Sequence, residues 1–425
     1  MKMKILILQK FPIYGGGSGT YTRKLATSLH AAGHKVAIVA PDNREVKGCK
    51  TYRIEPAYKA VFISHPEYKR AKRYSQMSGF EFTKQYISYL KYISKAVEDF
   101  KPDVIHVNHA SFLTWIASMI KEMYGIAYVV TVHGTGIFNS TIDPRYRYLT
   151  KQGLNHADFI IAVSHHTKKW MFKVYGQNLR RKTKVIPNGI SLNDFSQEAS
   201  PKQIKLVEKK YGIDGKKLVI FVGRLTWEKG VEYLIKASKN IDAMVAIIGG
   251  GSYEKYLKHY ARLLNVKNVK FLGYLGKDNV KDLRVLYRRA DVLVLPSVVE
   301  ESTGYVILEA MACSTPVVAS NKGGIPIVVK EGYNGHLVRA KSAKAIARAV
   351  NNIIEHPAIA NKFSENSRKI IEEKFNWGVL TPQTVDIYKR VDDVTRRLQQ
   401  RRKKMLFEKE TIDRERGELE KKIDD

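Results

Sequence analysis

Short runs of Val, Ile and Leu alternate with longer amphipathic segments along most of the 425 residues. This alternation constrains the fold more than any single residue does. Strands that are apolar throughout need cover on both faces, and an amphipathic segment between successive strands supplies it as a crossover helix. Parallel sheets follow. In the first half the strand candidates are residues 5–8, 36–40, 104–107, 128–132, 159–163 and 185–187. In the second half they are residues 218–222, 244–248, 269–272, 292–295 and 317–319. Pro187-Asn188-Gly189 is a turn signal, and a domain boundary is expected near residues 190–205. The fold class expected is α/β, with two doubly wound Rossmann-like domains facing across a cleft. The halves share a pattern, not a repeated sequence.

Composition narrows the class. At 44% hydrophobic and 27% charged, the chain can build sizeable cores. Its two cysteines, Cys49 and Cys313, form no disulfide framework and have no zinc spacing, which fits a reducing compartment. No apolar run reaches the roughly 18 residues of a membrane span. The net charge of +32 implies an anionic partner: nucleic acid, acidic lipid or a phosphorylated substrate. Basic patches lie at residues 68–73, 182–184 and 401–404. No nucleic-acid module accompanies them, so a merely solvated or thermophile-like surface explains the charge equally well. From Val391 onward the chain is a charged helix. Val391, Leu398, Met405, Ile412 and Leu419 recur every seven residues, but the second seam position is mostly polar. A two-stranded coiled coil wants both positions apolar.

Two carboxylates stand out. Glu301 and Glu309 lie eight positions apart, after the strand candidate 292–295 and around Gly304. Both fall at or just past a strand's C-terminal end, where open α/β sheets bind ligands. Glu309 sits among Val306, Ile307, Leu308, Ala310, Met311 and Ala312. A charge there needs a partner. A ribose diol would serve, and so would Arg284 or Lys330.

Further strand ends carry candidates. Residues 14–19 place Gly15, Gly16 and Gly17 between the first strand and a helix expected over 21–32, where backbone N–H groups can approach a phosphate. His133 ends the strand 128–132 and can reach a sugar hydroxyl or a phosphate; a backbone-satisfied turn is the plainer alternative. His106 and His109, at another strand end, read more readily as structural, and adjacent His165 and His166 are poorly placed to share a metal. Arg224 and Lys229, framed by Gly223 and Gly230, put two cations beside a helix start and suit a diphosphate. Gly273-Tyr274 offers backbone groups to a nucleobase or is simply a tight turn. No set of residues has metal-ligand spacing.

Taken together these residues resemble the retaining glycosyltransferases of family 4, which have the glycosyltransferase-B architecture. The resemblance covers about residues 3 to 390. Its most specific part is the Glu301-x7-Glu309 pair in its setting of Leu295-Pro296-Ser297, Gly304, Glu309-Ala310-Met311-Ala312 and Gly323-Gly324-Ile325-Pro326. Residues 185–190, 222–230 and 33–36 also look like family segments. The resemblance implies that Glu309 holds the donor ribose and that Glu301 lies by the transferred sugar. It implies that Arg224 and Lys229 hold the diphosphate, that backbone around Gly304 and Tyr305 binds sugar hydroxyls or phosphate, and that Gly16 approaches the diphosphate from the other domain. His133 would contact donor sugar or acceptor. Residues 1–195 would form the acceptor-side domain, with 378–395 crossing back onto it. Residues 205–377 would form the donor domain, and 396–425 a charged helical tail. No cofactor or metal is expected; the donor would be a UDP-, GDP- or ADP-sugar. Three departures from the family pattern stand out: Ser302-Thr303 replaces Pro-Phe, Ser314 replaces Gly, and Ile327 replaces Glu. The first changes the wall around the sugar.

The expected activity is retaining transfer of a hexose from a nucleoside diphosphate sugar to a hydroxyl of a lipid-linked or cell-surface glycan. A same-fold epimerase or phosphorylase is the alternative, and a nucleic-acid-binding protein, supported only by charge, ranks below it. No nucleic acid is expected as a partner. The basic stretch 69–101, with Tyr86, Ile87, Tyr89, Leu90, Tyr92 and Ile93, suggests contact with an anionic membrane surface. The expected location is the cytoplasm, with the inner face of the cell membrane as a peripheral site.

Overall fold

The computed structural model describes residues 2–14, 16–62, 68, 71–195, 199–276, 279–301 and 303–424, of which 402–424 are followed as helix backbone. Two parallel sheets organise them. The first contains β1 (Lys4–Gln9), β2 (Lys35–Ala40) and β3 (Lys50–Arg53). A short pair, β4 (Ala60–Val61) and β5 (Lys72–Arg73), stands apart. The first sheet continues with β6 (Val104–Asn108), β7 (Ala127–Val132), β8 (Phe159–Ala162) and β9 (Thr183–Val185). Its order is β3-β2-β1-β6-β7-β8-β9. The second sheet contains β10 (Leu218–Val222), β11 (Met244–Ile248), β12 (Val269–Gly273), β13 (Val292–Leu295), β14 (Val317–Ser320) and β15 (Gly335–Val338). Its order is β12-β11-β10-β13-β14-β15. Both are doubly wound. The order reverses between β1 and β6 and between β10 and β13, and a ligand crevice opens outside the strand ends at such reversals.

The apolar runs form the central strands for the expected reason. β10, β11 and β13 are buried along their whole length. β3 and β15 carry no long apolar run: Lys50-Thr51-Tyr52-Arg53 and Gly335-His336-Leu337-Val338 are edge strands, half exposed, and pattern reading passes over them. β9 begins at Thr183, ahead of the expected 185, because Ile160–Ala162 of β8 pair with Thr183–Val185.

Helices cover both faces of each sheet. The last one, Trp377–Asp424, begins by returning to the first sheet. Trp377, Leu380, Ile387, Tyr388 and Val391 are buried with Ile5, Ile7, Leu25 and Val129. Tyr388 Oη lies 2.6 Å from His106 Nδ1. The helix then runs on as charged backbone. Met405, Ile412 and Leu419 of the seven-residue pattern, and the 402–404 end of its basic patch, have side chains outside the described residues, and so do Lys69 and Arg70.

The helix Gly79–Phe100 corrects one expectation. Tyr89 and Ile93 are core residues, and Tyr86, Leu90 and Tyr92 pack against that core. Their 3.6-residue spacing turns them toward the sheet. Ile87 alone of that set is exposed, and it shares its helical face with exposed Phe80 and with Lys84 and Lys91. Among the described residues no helix is long and apolar enough to cross a membrane.

Candidate functional site

Glu301 is held from three directions. Beyond β13, buried Ser297 donates its hydroxyl to Glu301 Oε1 at 2.7 Å. Beyond β10, Lys229 forms an ion pair with the same oxygen. Beyond β14, Gly324 N–H donates to the Glu301 carbonyl at 2.7 Å. Burial on its own would raise the pKa of this carboxyl. The Lys229 charge, the hydrogen bonds from Lys229 and Ser297 and the nearby Arg224 outweigh it and hold the carboxyl below its ordinary range. Glu301 is therefore a carboxylate at neutral pH.

Two glycines make this approach possible. A Cβ on Gly230 (φ 62°) would lie 2.3 Å from the Pro296 carbonyl oxygen, so the Lys229 turn presses directly on the β13 exit. A Cβ on Gly323 (φ 57°) would lie 2.2 Å from the Glu301 carbonyl oxygen. Both left-handed positions suit glycine alone.

Past Glu301, Ser302 and its family-departing side chain lie outside the described residues. Thr303 is fully buried and accepts from Asn188 Nδ2 at 2.6 Å, which ties the donor-side loop to the linker after β9. Gly304 (φ 68°) starts the helix Tyr305–Ala312 with no side-chain cap. Its first N–H groups remain available to an anion. One turn along, Glu309 Oε2 accepts from Tyr287 Oη at 2.6 Å. Burial raises its pKa above the ordinary carboxyl value, against the pull of Tyr287, Lys24, Arg23 and Arg284. The partner found is thus neither expected residue. Lys330 Nζ caps the Pro326 carbonyl, and Arg284 faces Asp194 at 3.6 Å.

The first lobe reaches this helix. Tyr305 Cδ2 lies 3.7 Å from the Cβ position of Gly17, and the buried Tyr305 hydroxyl has no hydrogen-bond partner among the described residues. Gly16 begins the helix Gly17–Ala31, again with no side-chain cap. Gly15 falls outside the described residues. Lys24, on that helix, pairs with Asp194 of the linker, which also faces Arg284. His166 Nε2 stands 3.6 Å from Glu300 Oε2. Arg224, Lys229, Glu301, Gly304, Tyr305, Glu309 and Gly16 therefore gather where the two lobes meet.

His133 lies deeper. It starts the helix Gly134–Ile142, and its Nε2 is 2.7 Å from Asn108 Oδ1. Asn108 Nδ2 already donates to Gln9, Ser18 and Thr22, so Oδ1 accepts and the His133 proton sits on Nε2. Burial lowers the His133 pKa to about 3, and the ring is neutral. Gly273 (φ 74°) is a turn whose carbonyl accepts from Gly249 N–H, and Tyr274 is an exposed ring at the end of β12. Ser297, Tyr287 and Asn108 escaped the sequence reading. A serine four positions before Glu301 was a legible hint; Tyr287 and Asn108 meet their partners only through the tertiary fold. Among the described residues no group of three or more His, Cys, Asp or Glu gathers to hold a metal.

The family described as Glycosyltransferase Family 4 matches residues 15–194, and that described as Glycosyl transferases group 1 matches residues 203–370. An uncharacterised glycosyltransferase of Methanocaldococcus jannaschii is 30% identical over 408 residues, covering 92% of this chain and 98% of its own. The chain belongs to glycosyltransferase family 4. A second relative of this glycosyltransferase is the alpha-maltose-1-phosphate synthase of Mycobacterium tuberculosis, 30% identical over 314 residues, or 68% of this chain and 79% of the relative. The solved structure of Anabaena HepE in complex with UDP superposes on the glycosyltransferase with a TM-score of 0.71 at 20% identity, covering 90% and 99% of the two chains. That likeness shows a shared glycosyltransferase-B fold: two Rossmann-like domains, each with the parallel sheet described above.

Proposed function

We propose that this glycosyltransferase moves a hexose from a nucleoside diphosphate sugar to an acceptor hydroxyl with retention at the anomeric carbon. One observation carries the reading: Lys229 and Arg224 flank ionised Glu301 opposite the uncapped helix that starts at Tyr305. In this reading the two cations and the helix N–H groups stabilise the charge growing on the departing diphosphate, which needs no metal. Glu301 orients the sugar, and Glu309 with Tyr287 receives the ribose diol. The acceptor attacks from the face the diphosphate leaves, and the departing phosphate oxygen takes the acceptor's proton. Closure of the lobes, with Tyr305 against Gly17, excludes water. UDP bound in the HepE structure supports a nucleotide-sugar donor.

A thermal-shift panel of UDP-, GDP- and ADP-sugars tests the donor, since a true donor stabilises the fold by mass action. Proton NMR of the first product then tests retention. No stabilisation by any nucleotide sugar would overturn the reading.

For the acceptor we propose a glycan on a lipid or cell surface, reached by peripheral contact with anionic membrane. Exposed Phe80 and Ile87 share a helical face with Lys84 and Lys91, and Lys84 Nζ sits 4.4 Å over the Phe80 ring. Cosedimentation with acidic vesicles at low salt is expected; its absence would remove this part.

A further inference from the structure

We propose that Asn108 is a positioning residue for transfer: it locks His133 in the one tautomer whose bare Nδ1 accepts a hydrogen bond, so the substrate atom met there is a hydroxyl and not an anionic oxygen. The inference rests on the transferase reading above and deepens it, by naming the kind of group that the first lobe reads on the transferred sugar.

The lock starts from an atom with no choice. The Ser18 carbonyl oxygen accepts and never donates, and it lies 3.0 Å from the Asn108 side-chain amide. That end of the amide is therefore Nδ2. Thr22 Oγ1 at 2.6 Å and Gln9 Oε1 at 2.8 Å flank the same nitrogen. Thr22 donates its own proton to Gln9 Oε1 at 3.0 Å, which leaves its lone pairs free to accept from Nδ2. The other end of the amide is Oδ1, an acceptor only, and it faces His133 Nε2 at 2.7 Å. That hydrogen bond requires the proton on Nε2. A neutral imidazole has one N–H, so Nδ1 is bare.

Nδ1 is left for a ligand. His133 sits at the N-cap of the helix Gly134–Ile142 and makes no side-chain cap bond. Among the described residues Asn108 is its one side-chain hydrogen-bond partner. The ring is held in place by its neighbours. Tyr21 meets it edge-on with centroids 5.0 Å apart, and the Tyr21 hydroxyl is anchored on Thr131. His109 lies 4.9 Å away on a left-handed backbone, φ 97°, and both of its buried nitrogens lack a partner among the described residues. It crowds His133 and offers it no hydrogen bond. Tyr21, His106 and His109 face the ring, with Lys10 beyond His109, and burial favours the neutral form of all four. None of them is a carboxylate that would draw a second proton onto Nδ1. Tyr305, first residue of the uncapped donor-side helix, packs against the cluster that contains Tyr21. The sugar carried by a diphosphate at that helix start is therefore the substrate part nearest to His133. A bare ring nitrogen there accepts from an O–H and repels a carboxylate or phosphate oxygen, lone pair against lone pair. A hexose with a hydroxyl at that place passes, and its uronic acid does not.

The test reads tautomer and turnover separately on the full chain. Nitrogen NMR of the histidine rings is run at about pH 8.5, above the ordinary imidazole value, and His133→Gln identifies the His133 signals. Wild type is expected to show a protonated Nε2 and a bare Nδ1. Asn108→Leu keeps the volume and removes the acceptor. Asn108→Asp still accepts from Nε2 but no longer donates at this pH, and Gln9 Nε2, buried without a partner among the described residues, can turn to donate to it. The leucine variant is expected to populate Nδ1–H and to consume UDP-, GDP- or ADP-glucose, whichever stabilises the chain best, at least about tenfold more slowly. The aspartate variant is expected to restore the tautomer and most of the lost turnover. If Asn108 served only to tie the helix Gly17–Ala31 to β6 through Nδ2, the two variants would fail alike. Equal losses, or Nδ1–H in wild type, overturn the proposal.

A second measurement leaves Asn108 in place and decides even where Asn108→Leu does not fold. Each hydroxyl of the bound sugar is replaced in turn by fluorine, which does not donate. One replacement is expected to weaken binding at least about tenfold in wild type and to cost nothing in His133→Ala. The same losses in both proteins at every position overturn the proposal. Failure of every nucleotide sugar to bind or react defeats the transferase reading instead, and the NMR tautomer, which needs no substrate, tells the two failures apart.

Discussion

Lys229 and Glu301 come from turns 72 positions apart and form a largely buried ion pair at the meeting of β10 and β13. Neither turn makes the site alone. Among the described residues, Glu301 without Lys229 keeps Ser297 and Arg224 as its stabilising neighbours, and Lys229 without Glu301 loses its ion pair.

The pair separates two roles. Glu301→Gln keeps the shape and the Ser297 contact but removes the charge. Transfer is expected to fall about a hundredfold or more, while nucleotide-induced stabilisation persists. Steady-state kinetics beside a thermal-shift titration reads both. Turnover near that of wild type would end the assignment of Glu301 to the sugar. Lys229→Ala leaves the carboxylate uncompensated, so it should lower stability by about 3 kcal/mol as well as weaken donor binding.

Gly323 gives a prediction about placement. The turn after β14 passes so close to Glu301 that a methyl group at Gly323 would meet its carbonyl oxygen at 2.2 Å, in a left-handed backbone. Gly323→Ala should therefore shift Glu301 and lower kcat strongly, although residue 323 bears no reacting group. Gly332 is also left-handed, at φ 67°, but a Cβ there meets nothing within 4 Å. Gly332→Ala is the control: it loses stability from backbone strain, about 1 kcal/mol, and keeps kcat. Equal kcat in the two variants would show that the close approach has no bearing on the chemistry.

Acid should unfold the first lobe early. His106, inside β6, and His109 and His133, just past the ends of β6 and β7, are buried, and burial lowers their pKa values, to about 3 for His106 and His133. Below an unfolded value of about 6.5 the unfolded chain binds protons that the folded chain refuses. Stability therefore rises with pH through that window and levels off above it. The melting temperature should drop steadily from about pH 7 to about pH 5, well above the range in which ordinary carboxylates titrate. His106→Gln, which can still face Tyr388 and Thr131, should flatten part of the slope. A melting temperature constant over this range would refute the neutral assignment.

Most of the sheet and much of the cleft were legible in local pattern. The apolar strands announced β1, β10 and β13 because a doubly covered strand must be apolar along its length. Glycines at 223, 230 and 304 marked strand exits, and the spacing of Glu301 and Glu309 pointed to the turn and helix that follow β13. What escaped were properties of neighbours distant in sequence. Edge strands β3 and β15 are held by one neighbour and carry no apolar signature. Tyr287 comes from a separate helix, and its contact with Glu309 exists only once that helix docks. The apolar residues at 89 and 93 read as a lipid-facing surface because periodicity shows that a face exists, not what covers it.

Lys10 shows the same limit and leads to the last prediction. It follows β1 directly, is 1% exposed, and its amine meets Tyr146 Oη at 2.7 Å inside a ring of Phe62, Tyr74, Phe112 and Tyr146. Tyr146 is its one side-chain hydrogen-bond partner among the described residues, and no carboxylate pairs with it. Aromatic faces return about 2 kcal/mol to a desolvated cation, whereas burying an unpaired ammonium costs several. Burial therefore wins, and the Lys10 pKa lies well below its ordinary value. Between that lowered value and about 10.5 the unfolded chain holds a proton that the folded chain lacks, so stability rises with pH across the window. Lys10→Met keeps the volume and removes the titration. It should match or exceed the wild type in stability near neutral pH by about 1–2 kcal/mol and lose that advantage as pH approaches 10. Chemical denaturation at several pH values reads the difference. A variant less stable than wild type by an amount independent of pH would mean that Lys10 is charged and that the aromatic ring holds a cation after all.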